Sequence, residues 1–121
     1  MHTQALVEAV VHDLNDLKAI DVNPLDVHVT TPVTDYMVIA SGNSSRHVYS
    51  LAAHLVDNMK KRHCPTLSIQ ADSNNEWVLV DLGNVVVHIM QAPTRAFYNL
   101  DKLWAPVIPP TLHQAAAEAS L

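Results

Sequence analysis

With two glycines, one cysteine, one phenylalanine and no long apolar run, this 121-residue chain excludes several classes of protein at the outset. Cys64 stands alone, so no internal disulfide can form, and a thiolate zinc site would have to recruit histidines. No apolar stretch approaches the roughly 20 residues that cross a bilayer. The amino terminus carries Glu8 and lacks the basic region and cleavage site of a signal peptide, so a cytoplasmic protein is expected. Basic residues are scarce as well: seven Lys and Arg stand against twelve Asp and Glu, a formal charge of -5. Phosphate-backbone binding needs clustered cations, so direct nucleic-acid recognition is not expected, and a basic partner suits the charge better. The only basic run, Lys60-Lys61-Arg62, reads as cations at the carboxyl end of a helix.

What the chain does have is apolar periodicity. Leu6, Val10, Leu14 and Leu17, with Val7 and Val11 beside them, predict an amphipathic helix over 3–19, capped by Thr3, with Asp13 and Asp16 on its polar side. Leu25, Val27 and Val29 alternate with polar residues as in a half-exposed strand. Tyr36 to Ala40 predicts a short interior strand, and Val48, Leu51, Leu55, Val56 and Met59 place a second helix over about 46–62. Leu67 and Ile69 mark a third strand, 71–75 a polar loop, and 94–103 a short helical segment ending at Trp104. Prolines 106, 109 and 110 precede an alanine-rich end, so 1–104 is expected to form one domain and 105–121 a flexible tail.

The most informative stretch is Glu76 to Gln91. Gly83-Asn84 is a two-residue hairpin signal. It sets Leu82 opposite Val85, Asp81 opposite Val86, Leu79 opposite His88, and Trp77 opposite Met90. Val78, Val80, Leu82, Val85, Val87 and Ile89 then form one aliphatic core face. The other face mixes Trp77, Asp81 and His88 with Leu79, Val86 and Met90, an unusual set for a buried surface.

Catalytic chemistry finds little support in these residues. A Gly-Ser turn opening a helix occurs in nucleotidyltransferases, but those enzymes need paired carboxylates on one strand to hold metal ions about 4 Å apart. Here Asp81 is followed by Leu82 and Gly83, and Asp35 is isolated. Ser44-Ser45 reads as a helix cap rather than a phosphate loop, because no P-loop lysine follows. No two of the eight histidines lie four apart on a helix, and the Gly-x-Ser-x-Gly elbow is absent. No cofactor, metal or enzymatic activity is expected.

Four ordered segments resemble the ribosomal silencing factor (RsfS/Iojap) family. They are Asp16-Leu17-Lys18-Ala19; Thr34-Asp35-Tyr36 leading into Val38-Ile39-Ala40-Ser41-Gly42; Ser44-Ser45-Arg46-His47; and Trp77 through Gly83, Val85 to His88, Arg95, Tyr98, Leu100 and Lys102-Leu103-Trp104. The resemblance covers about 5–104. It implies an α/β fold with a small mixed sheet of about five strands, related to nucleotidyltransferases but without their active site. It further implies binding to the large ribosomal subunit through its protein numbered fourteen, at the intersubunit face. Occupying that face would block subunit joining and repress translation. Gln70-Ala71 stand where the family usually carries Glu-Gly, and Asn84 where Asp is common.

The expected docking residues are Trp77, Asp81 and His88, flanked by Arg95 and Tyr98, with Asp35, Arg46, His47 and Trp104 as additional candidates. A ribosome-assembly or scaffold module without silencing activity, a residual nucleotide-binding protein, and a homodimer through the exposed apolar face are the alternatives.

Overall fold

The structure, a computed structural model, describes residues 2–105. In chain order it runs α1 (Thr3–Asp16), β1 (Ile20–Asp26), β2 (Tyr36–Gly42), α2 (Ser45–Lys61), β3 (Ser68–Ala71), β4 (Trp77–Asp81), β5 (Val85–Gln91), α3 (Ala92–Tyr98) and α4 (Leu100–Leu103). The five strands form one mixed sheet in the order β1-β2-β5-β4-β3. Only β2 and β5 run parallel; the other neighbours are antiparallel. No helix among the described residues is long and apolar enough to cross a membrane. Beyond Ala105, the expected tail lies outside the described residues.

The scarcity of glycine leaves its mark on the backbone. Both long helices end in a Schellman turn, which needs a left-handed residue that glycine usually supplies. Here Lys18 (φ 60°) and His63 (φ 59°) take that position. The N–H of Ala19 closes on the Leu14 carbonyl, and that of Cys64 on the Met59 carbonyl. The first helix therefore stops at Asp16, short of the expected residue 19, and leaves Leu17 partly exposed. Its cap is His2, whose Nδ1 accepts from the Ala5 N–H, rather than Thr3. Gly42 is needed for a different reason: a Cβ there would lie 2.9 Å from Val48 Cγ2, where α2 departs over the strand.

The hairpin register matches the expectation at every pair: Asp81–Val86, Leu79–His88, Trp77–Met90, and Leu82 N–H donating to the Val85 carbonyl. Its aliphatic face joins Leu6, Val10, Leu14, Val48, Leu51, Leu55 and Met59 in the main core, beneath α1 and α2. The opposite face carries a smaller core of Leu25, Val27, Met37, Ile39, Met90 and Leu100, flanked by Trp77 and Trp104.

Four further expectations need correcting. Asp13 is not on a polar side: it is 1% exposed and gripped by the Arg62 guanidinium through both carboxylate oxygens, with Asn58 Nδ2 at 3.2 Å. Arg62 is thus committed to α1, and Lys61 pairs with Asp57 at 3.0 Å, which accounts for two of the three residues of the basic run. The first strand begins at Ile20, earlier than its alternation suggested. It tolerates Pro24 as an edge strand, and Val29 lies in the following turn, exposed. The third strand extends to Ala71, into the expected loop. The segment after β5 is two helices, because Asn99 is left-handed (φ 52°) and breaks it.

Candidate functional site

The two layers of helix are unequal. The long helices α1 and α2 seal one sheet face, whereas among the described residues only the short α3 and α4 cover part of the other. A groove of about 410 Å³ remains on that second face. Met37, Leu79, Val86 and Leu100 give it apolar walls, with Asp81, His88 and Trp104 along it. Alternation in β4 and β5 sends Trp77, Leu79, Asp81 and His88 to this side, because Val78, Val80, Val87 and Ile89 are taken by the core.

Trp77 and His88 form a unit. The indole Nε1–H donates to His88 Nδ1 at 3.0 Å, with the rings tilted at 51°. A neutral imidazole that accepts at Nδ1 carries its proton on Nε2. That Nε2 is buried and has no hydrogen-bond partner among the described residues. Burial holds the His88 pKa down at about 4, so the ring stays neutral at physiological pH. A buried N–H without a partner costs on the order of 1–3 kcal/mol, so each such group calls for an explanation beyond folding alone.

Asp81 is half-committed: its Oδ1 accepts from the Gly83 N–H at 2.8 Å, holding the hairpin turn. Tyr98 packs against Trp77 with the rings tilted at 51° and centroids 4.8 Å apart, and Phe97 meets Tyr98 edge-on at 5.0 Å. Thus the structure brings Trp77, Asp81, His88, Tyr98 and Trp104 around one surface.

The remaining candidates sit differently. Arg95 faces inward: Nε and Nη2 grip Asp101 at 3.1 and 2.8 Å, and Nη1 reaches Ser41 Oγ and the Ile20 carbonyl. This fixes α3 against α4, β1 and β2, and the Arg95 hydrogen bonds hold the Asp101 carboxyl below the usual carboxylate range. His47 Nδ1 accepts from the Asn43 N–H and its Nε2 lies 2.8 Å from the Leu17 carbonyl, tying the α2 start to the end of α1. Arg46 is exposed beside it, in the helix layer of the other face. Asp35 leads into β2, its backbone N–H bonded to the Asn84 carbonyl at the hairpin end of the sheet.

Phe97 and Glu76 escaped the sequence reading. Phe97 is 79% exposed, and both line a second cavity of about 360 Å³ next to Trp77 and Tyr98. Only the tertiary placement of α3 beside the start of β4 reveals them. Among the described residues, no group of three or more His, Cys, Asp or Glu could hold a metal ion.

A five-stranded mixed sheet sealed by helices on one face and grooved on the other defines a small α/β domain whose polar side chains line a surface. Comparison with known proteins makes the assignment specific. The chain belongs to the ribosomal silencing factor (RsfS) family: the family model described as "Ribosomal silencing factor during starvation" matches residues 1–120. The Haemophilus influenzae protein named ribosomal silencing factor RsfS is 41% identical over 101 residues, 84% of this chain and 99% of that one. The mouse protein named mitochondrial assembly of ribosomal large subunit protein 1 is 35% identical, over 81% of this chain and 44% of its own length. A crystal structure of a Chromobacterium violaceum protein superposes with a TM-score of 0.85 at 32% identity, covering 90% of this chain and 91% of that one.

Proposed function

We propose that this chain is a cytoplasmic ribosomal silencing factor that acts by occupancy, docking its grooved sheet face on the large ribosomal subunit through the protein numbered fourteen. Seated at the intersubunit face, it blocks subunit joining and represses translation. One observation carries the assignment of the face: the Trp77–His88 pair leaves a neutral, buried N–H without a partner among the described residues, beside an open apolar groove. Trp77 and Tyr98 supply anchor area of the kind that dominates interface hot spots. Asp81 keeps Oδ2 for a cation of the partner, since only Oδ1 is spent on Gly83. The family membership and the relatives' names support a ribosomal role over an enzymatic one.

The test pairs Trp77→Ala with Asp81→Asn, the latter chosen because the amide still accepts from the Gly83 N–H. Co-sedimentation with isolated large subunits should fall about a hundredfold in affinity in the double variant, the size of a two-residue hot spot. Subunit joining, followed by sedimentation, should recover in parallel. Wild-type protein that ignores large subunits would overturn the reading. Binding that leaves joining intact would replace silencing with an assembly or scaffold role.

A further inference from the structure

Beside the groove, the aromatic series Trp77–Tyr98–Phe97 continues out of the sheet onto α3 and ends in an open ring. Phe97 is 79% exposed and contributes nothing to either core, so folding does not explain it. It borders the cavity of about 360 Å³ that it shares with Glu76, Gln91, Pro93, Thr94 and Tyr98. The Glu76 carboxylate makes no ion pair among the described residues. The backbone that bears it is held, because Asp72 Oδ1 accepts from the Glu76 and Trp77 backbone N–H groups at 2.8 and 3.2 Å. Asp72 also adds a second negative charge next to the notch. The cation in the neighbouring helix, Arg95, is neutralised by Asp101 and turned toward β1 and β2.

We infer that the notch between Glu76 and the Phe97–Tyr98 rings is a separate subsite that receives an arginine side chain of the ribosomal partner. The inference rests on the docking reading above and adds an occupant to it. A guanidinium suits the three features together: its plane stacks on an aromatic face, and its edge forks onto a carboxylate. A lysine ammonium would satisfy the charge but offers no plane to stack. The negative charge of the site, set in a chain of net charge -5, complements a basic surface.

The experiment measures binding of isolated large subunits to full-length Glu76→Gln, Phe97→Ala, Phe97→Leu and the Glu76→Gln/Phe97→Ala double variant, across a salt series. Phe97→Ala and Glu76→Gln should each weaken binding about tenfold with unchanged thermal unfolding, because both side chains are exposed. Phe97→Leu should be as weak as Phe97→Ala, since it keeps apolar area but loses the ring face. The double variant should lose less than the product of the two, as both groups hold one guanidinium. Glu76→Gln should also flatten the salt dependence.

Wild-type affinity in either single variant, or in Phe97→Leu, overturns the subsite. If those variants bind normally while the Trp77→Ala/Asp81→Asn protein does not, the subsite fails and the docking face stands. If the wild-type chain does not bind large subunits, both fail together.

Discussion

Replacing His88 should change how stability depends on pH, and the size of the change follows from the site. The ring is 5% exposed, and burial lowers its pKa from the ordinary 6.5 to about 4. Between those values the unfolded chain binds a proton that the folded chain refuses. Stability therefore rises with pH across this window and is lost as pH falls from about 6.5 toward 4. At about 1.4 kcal/mol per pH unit, the window spans roughly 3 kcal/mol. A domain of this size has on the order of 5–15 kcal/mol in total, so the loss is large.

The comparison is urea unfolding of wild type and His88→Asn at several pH values from 7 to 4.5, followed by tryptophan fluorescence. Asparagine keeps an acceptor for the Trp77 indole and removes the titration, so any packing loss is a constant offset. Stability should fall more steeply in wild type as pH drops, and the gap between the two proteins should narrow by 2–3 kcal/mol. Other titrating groups do not mimic this. The pKa of His28 is raised by the hydrogen bond its ring donates to the Asp26 carboxylate, so its contribution has the opposite sign and is common to both proteins. Asp26 and Asp101 have lowered values and lose their stabilisation below about 3.8, outside the window. Parallel curves for the two proteins would refute the claim that His88 is held neutral by burial.

Two further outcomes follow from the ion pairs. Arg62→Met strands the buried Asp13 carboxylate and should cost about 3 kcal/mol in urea unfolding; adding Asp13→Leu should recover most of that, and a double variant as unstable as the single one would refute it. Arg95→Gln leaves Asp101 with Asn23 as its remaining side-chain donor and should lower stability by about 2 kcal/mol; an unchanged urea midpoint would mean that the guanidinium is spare for the partner.

These same residues mark the limit of what the sequence reveals. The hairpin was legible because Gly83-Asn84 sets its register locally, and register alone decides which of Trp77, Leu79, Asp81 and His88 share a face. Asp13 was misread because periodicity assigns a charge to the solvent side, while its partner Arg62 lies 49 residues away. Arg95 resembled a surface cation for the same reason: Asp101, Ser41 and Ile20 meet it only after folding. The break at Asn99 carries no strong local signal, since asparagine is common in helix-compatible stretches and equally able to turn left-handed. Phe97 and Glu76 fall in different elements, and no linear pattern joins them.

The arrangement explains why a docking face can sit on so small a domain without disturbing its fold. On β4 every groove residue alternates with a core residue: Trp77 with Val78, Leu79 with Val80, Asp81 with Leu82. The side chains offered to a partner are therefore borne by backbone that the main core already holds rigid, so binding orders little that was loose. The cost is that a slip of one residue in the hairpin would exchange the two faces, burying Asp81 under α2 and exposing the valines. Several contacts guard against it: the Gly83 turn, the Asp81 hydrogen bond that closes it, and Thr34 Oγ1 donating to the Gly83 carbonyl at 3.1 Å from the neighbouring loop. Specificity of the surface is thus inherited from specificity of the turn, and substitutions at Gly83 should damage binding and folding together, whereas those at Phe97 or Glu76 should separate them.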